Sequence, residues 1–89
     1  MKLIFTRKAL RDLDRLKGFI AEKNAKAANR MIKSLLKSIR HLRDHARLGH
    51  EFENSDQCRE LVSGNYIVVY LIDHEGINIL RIWHHKENR

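Results

Sequence analysis

The spacing of hydrophobic positions along this chain changes period twice. Residues 2–5, Lys-Leu-Ile-Phe, are apolar enough for a short first strand, and Thr6 behind them is a favourable helix N-cap. From Arg7 the apolar positions recur at helical spacing: Ala9, Leu13, Leu16 and Ile20, with Leu10 and Phe19 beside them. Arg7, Lys8, Arg11, Asp12, Asp14, Arg15 and Lys17 fill the other positions, so the pattern predicts an amphipathic helix over residues 7–23. Asn24 is the next cap. Ala28, Met31, Ile32, Leu35, Leu36, Ile39 and Leu42 then fall on one side of a second helix over residues 25–43. With almost no chain between them, the two helices must fold back as an antiparallel hairpin.

Residues 44–57 lose all periodicity and read as an irregular loop, with Leu48 and Phe52 expected to anchor it to the core. The period then falls to two. Residues 66–72 and 77–83 are runs rich in Val, Ile and aromatic residues, joined by Asp73-His74-Glu75-Gly76, which is the signature of a β-hairpin. Residues 58–62 precede them across Ser63-Gly64-Asn65, a second turn of the same kind. The expected fold is therefore α+β, in the order β-α-α-β-β-β, with the helical hairpin packed on one face of a small antiparallel sheet. In residues 66–72 both alternating sets are apolar, so that strand must be covered on both faces. The helices can cover only one. A loop, the tail or a partner protein must cover the other.

Length and composition narrow the class. Eighty-nine residues make one domain, and 43% hydrophobic with 33% charged residues is a globular composition. No apolar run approaches the ~20 residues of a membrane helix, and no signal-peptide pattern is visible. One cysteine, Cys58, makes no internal disulfide, so a reducing cytoplasm is the expected setting and the thiol is expected to be a small buried hydrophobe. No Cys/His cluster has zinc-site spacing, and His84 and His85, as strand neighbours, would point to opposite faces. No metal or other cofactor is expected.

Charge adds a partner class. The formal net charge is +7, which favours a polyanion or an acidic protein surface. Lys26, Arg30, Lys33, Lys37 and Arg40 are spaced +4, +3, +4, +3 and fall within an arc of about 80° on the polar side of the second helix. Such a stripe is either a solvated helix face or an electrostatic surface for nucleic acid or an acidic protein.

Several segments also resemble a known family. Arg59-Glu60-Leu61-Val62, Tyr66 with Val69-Tyr70, and Ile79-Leu80-Arg81-Ile82 followed by His84 are similar to the RelE/ParE superfamily of bacterial type II toxin–antitoxin toxins. Residues 27–32 and Arg47-Leu48-Gly49 fit it too, although the family often has a proline where Ala46 stands. The resemblance implies a toxin neutralised by a cognate antitoxin protein. It also implies one of two activities. The ParE-like branch poisons DNA gyrase without being a catalyst, and the RelE-like branch cleaves messenger RNA on the ribosome. The ribonuclease branch typically carries an arginine where this chain has Ile67, and residues 79–84 read more like ParE, so gyrase is the expected target. The enzyme alternative would use His84, His85, Arg59, Arg81 and Lys86 for acid–base chemistry and phosphate stabilisation. A third reading is a basic nucleic-acid-binding module without toxicity.

The expected contact surface for target or antitoxin comprises Arg59, Arg81, Trp83, His84, His85 and Lys86, together with Arg30, Lys33, Lys37 and Arg40 on the helix. Against this stand simpler roles. Arg59 and Arg81 could be ion-paired with Glu60, Glu75 or the loop acids, His84 could close the sheet edge, and Tyr66 and Tyr70 share a face and read as core.

Overall fold

Local capping fixes where both helices begin. In the computed structural model, which describes residues 1–87, α1 spans Arg7–Ala21 and α2 spans Ala25–Arg40. The Thr6 hydroxyl accepts the Ala9 N–H at 3.2 Å, and the Asn24 side chain accepts that of Ala27 at 3.0 Å. Each cap thus satisfies one of the amides that a helix start leaves without a partner. α2 passes directly into a single 3₁₀ turn, His41–Arg43, which buries Leu42.

The strands are β1 (Leu3–Phe5), β2 (His50–Phe52), β3 (Ser55–Ser63), β4 (Tyr66–Ile72) and β5 (Ile77–His84). They form one sheet in the order β1-β5-β4-β3-β2. The α+β layout with a helical hairpin on one face is the expected one. Two details are added to it. β1 joins the edge of β5 in parallel, so the sheet is mixed. β2 arises within residues 44–57, the segment read as an irregular loop, and pairs antiparallel with β3. The β2–β3 turn places Glu53 and Asn54 at φ +52° and +61°, the double left-handed geometry of a tight hairpin made here without glycine.

The side-chain alternation sorts the sheet into two faces. Tyr66, Val68, Tyr70 and Ile72 of β4 turn toward the helices and pack with Leu61, Ile77, Ile79 and Ile82. Ala9, Leu16, Leu35, Ile39 and Leu42 close the core from the other side. Ile79 and Ile82 are three residues apart, which a regular strand would send to opposite faces. A β-bulge reconciles them: Tyr70 pairs with Ile79 and Val69 with Arg81, leaving Leu80 as the extra residue.

Leu48 does not anchor the loop; it is 55% exposed. Polar groups hold the loop instead. The Tyr70 hydroxyl accepts the Gly49 N–H at 2.9 Å and donates to the Ala46 carbonyl at 2.7 Å. The Arg59 guanidinium donates to the carbonyls of Gly49 (2.7 Å), Arg47 (3.3 Å) and Asp56 (2.9 Å). Gly49 is required there, since a Cβ would lie 2.7 Å from the Glu60 carbonyl oxygen and 2.9 Å from the Tyr70 hydroxyl.

Candidate functional site

Two arginines singled out by the sequence turn out to be structural fasteners. Arg59 is 9% exposed. Besides its three carbonyl partners it forms an ion pair with Asp56 at 2.6 Å, and Arg47 pairs with the same carboxylate. These two arginines hold Asp56 below the usual carboxylate range. The loop acid is the partner anticipated for Arg59; neither Glu60 nor Glu75 takes part.

Arg81 is held by a residue that the helical pattern marked only as a polar filler. Asp12 of α1 is 2% exposed. β1 ends at Phe5, so beyond that point the edge of β5 has no neighbouring strand. α1 supplies the missing partner: Asp12 Oδ2 accepts the Ile82 backbone N–H at 2.8 Å and Arg81 Nε at 2.8 Å. Asp12 Oδ1 accepts from Arg81 at 3.1 Å and from Arg15 at 2.5 Å. Burial raises the pKa of this carboxyl, but the hydrogen bonds from Arg81, Ile82 and Arg15 outweigh burial and hold it below the usual range. Arg15 then reaches Glu87 at 3.0 Å, tying the C-terminal turn to the same helix.

The remaining C-terminal residues gather at the end of β5. His84 packs edge-to-face on Tyr66 at 5.3 Å between ring centroids, and His85 packs edge-to-face on His84 at 4.7 Å. His85 lies past the end of β5, so the two imidazoles meet rather than pointing to opposite faces. His84 Nδ1 accepts the Lys86 N–H at 3.1 Å, and the His84 N–H is bound by Glu87. His85 and Lys86 are exposed, whereas Trp83 is 8% exposed, with the Arg81 guanidinium 5.8 Å from its ring centroid. Ile67 pairs with Trp83, on the face of the sheet away from the helices.

A feature missed from the sequence lies beside this cluster. Leu16, Phe19 and Ile20 of α1, with Tyr66, line a mainly apolar groove of about 490 Å³, rimmed by Arg15, His84, Lys86 and Glu87. Phe19 is 70% exposed. Its position beside the buried row of α1 was the available signal, because a large aromatic off the core stripe has nothing in its own fold to pack against.

The predicted residues therefore form three groups rather than one. Arg81, Trp83, His84, His85 and Lys86 lie along the end of β5. Arg59 is elsewhere, opposite Tyr70, whereas His84 is opposite Tyr66, so four residues of β4, about 13 Å of strand, separate the two positions. Arg30, Lys33, Lys37 and Arg40, with Lys26, stand exposed on the outer face of α2. Cys58 is half-buried, and burial raises its pKa, with the nearby Glu53 adding to the effect. Among the described residues no three His, Cys, Asp or Glu side chains cluster as metal ligands, and no helix is long and apolar enough to cross a membrane.

Residues 3–89 match the family described as the ParE toxin of the type II toxin–antitoxin system parDE. Among solved structures, a chain of the chromosomal ParDE system from P. aeruginosa superposes with a TM-score of 0.79 at 23% identity, over 94% of this chain and 95% of that one. A chain of the RelBE2 toxin–antitoxin complex from Mycobacterium tuberculosis superposes with a TM-score of 0.62 at 22% identity, over 93% and 95%. No curated protein matches by sequence.

Proposed function

On the premise that this chain belongs to the ParE toxin family of type II toxin–antitoxin systems, we propose that it acts in the cytoplasm on DNA gyrase and is silenced by a cognate antitoxin. The observation that carries the choice of target is the pairing of Ile67 with Trp83. At the position where the ribonuclease branch has an arginine, an aliphatic side chain faces an indole, and neither can stabilise a pentavalent phosphate. Arg81 is engaged by Asp12, Arg15 by Asp12 and Glu87, and Arg59 is fastened to its loop. The exposed cation beside the imidazoles is then Lys86, a point charge rather than a guanidinium fork that can bridge two phosphate oxygens.

The groove beside Phe19 is the proposed seat for apolar anchors of the antitoxin, whose binding segment would be acidic and would extend across the helical hairpin and the open face of the sheet. Support comes from the 70% exposure of Phe19, from the exposed Lys86 on the rim, and from solved relatives described as toxin–antitoxin assemblies. A segment that folds on binding needs such a preformed apolar cleft to offset its ordering cost.

The direct experiment incubates the purified protein with gyrase and supercoiled plasmid, then denatures the mixture and looks for linear DNA. Accumulation of cleaved complexes is expected. If gyrase is untouched while ribosome-bound messenger RNA is cut, the gyrase assignment is wrong. Phe19→Ala should weaken binding of the antitoxin by about 10- to 100-fold, the range for losing an aromatic anchor.

A further inference from the structure

The six ion pairs of the described residues use Arg15, Arg47, Arg59, Arg81 and His74 as their cations. None uses a residue of α2. That helix contains Lys26, Arg30, Lys33, Lys37 and Arg40 and not one acidic residue. All five are exposed, while Ala28, Leu35 and Ile39 on the opposite side are buried, so the core fixes the cationic row outward.

Helix stability does not explain this row. Lys37 and Arg40 sit in the last turn, where a cation is favourable. Lys26 sits in the first turn, where it is not, and α2 has no acid there to offset it. Like charges at i,i+3 and i,i+4 also repel along the whole row.

We propose that the outer face of α2 is a binding surface for the phosphate backbone of duplex DNA, whichever enzyme the toxin acts on. The row runs from residue 26 to residue 40, about 21 Å at 1.5 Å per residue, a straight rail that can face successive phosphates of one strand. The exposed residues between the cations are small and polar: Asn29 and Ser34. A protein interface would require apolar or aromatic anchors, which this row lacks. A membrane surface would require apolar side chains to insert, and single-stranded RNA would require aromatic platforms. The contact carries no base readout, so binding is independent of sequence.

The test uses the full chain, prepared by cell-free synthesis, and fluorescence anisotropy with a labelled 25-base-pair duplex of arbitrary sequence. Five phosphate contacts give a slope of log affinity against log salt of about −4.5, so affinity falls about 500-fold between 50 and 200 mM NaCl. Lys33→Gln with Lys37→Gln should reduce the slope to about −2.7 and the fall to about 40-fold. The same charge removed from α1, as Lys8→Gln with Arg11→Gln, should leave the slope near its original value. All four positions are exposed, and circular dichroism is the check that both variants remain folded. Equal effects of the two pairs, absence of binding at 50 mM NaCl, or tighter binding to an RNA duplex, to anionic vesicles or to polyglutamate, which has no apolar anchor for the groove beside Phe19, would each overturn the proposal.

Discussion

Removing the Asp12 carboxylate should destabilise this protein more than its place on a charged helix suggests. Asp12→Ala leaves the buried Ile82 N–H without its acceptor, which costs about 1–3 kcal/mol. It also removes the shared anion of Arg15 and Arg81. Their side chains are 43% and 44% exposed, so solvent screens those pairs and each contributes only about 0.5–1 kcal/mol. The expected total is about 2–5 kcal/mol. A domain of this size has roughly 4–13 kcal/mol of stability in all. Urea unfolding followed by circular dichroism measures the effect. With a slope near 1 kcal/mol per molar, the midpoint should fall by roughly 2–5 M. The pH dependence supplies a second reading. The folded pKa of Asp12 is depressed, so its contribution is complete above the unfolded value and is lost as pH falls through the folded one. The gap between wild type and Asp12→Asn should therefore be full at pH 7 and should close below about pH 4. A loss under 1 kcal/mol, or a gap that does not change with pH, would refute the edge-capping argument.

Three further perturbations probe other joints. Tyr70→Phe removes the hydroxyl between Gly49 and Ala46 and should cost about 1–3 kcal/mol, with faster hydrogen exchange at the Gly49 amide as the specific readout. Gly76→Ala would put a Cβ 2.2 Å from the Lys2 carbonyl at φ +150° and should cost about 3 kcal/mol, whereas Gly64→Ala, with open space at φ +59°, should cost only about 1 kcal/mol; equal losses in urea titrations would contradict the geometry. Arg59→Lys should destabilise by about 2–4 kcal/mol and Arg81→Lys by less than about 1 kcal/mol, and the reverse order in thermal unfolding would mean their roles are exchanged.

The parts of the fold that rest on local chemistry were legible in the sequence. Thr6 and Asn24 cap the helices they were expected to cap, and the turns at residues 63–65 and 73–76 carry the glycines their geometry needs. What escaped depends on distant neighbours or on absent signals. The β2–β3 hairpin uses Glu53 and Asn54 at positive φ, and a turn without glycine gives little warning. The bulge at Leu80 breaks the two-residue period between Ile79 and Ile82, and only the pairing with β4 reveals it. Asp12 looked like one more polar helix position because its purpose lies seventy residues away, at a strand edge left bare by the shortness of β1. Within the candidate site, the α2 row and the C-terminal cluster were readable from spacing and composition. The groove was not, since it forms only when α1 meets the ends of β4 and β5.

Burial decides which of the two sheet arginines can serve a partner. Arg59 donates to three backbone carbonyls and a carboxylate while almost completely buried, so turning it toward a ligand would unfasten the loop that carries β2. Arg81 has a single anionic partner, and when it swings away Asp12 keeps both Arg15 and the Ile82 N–H. The departure of a half-exposed guanidinium then costs about 1 kcal/mol, less than one charge-assisted hydrogen bond to a partner returns. Arg81 also lies beside Trp83, the pairing of arginine and tryptophan that dominates many interface centres. The cations available to a partner are thus Arg81 and Lys86 at one end of the sheet and the α2 row on the outer helix face. Asp56 and its two arginines belong to the scaffold. A duplex along α2 would displace no ion pair of the described residues, and a partner that recruits Arg81 would break only its pair with Asp12, which keeps Arg15 and the Ile82 N–H.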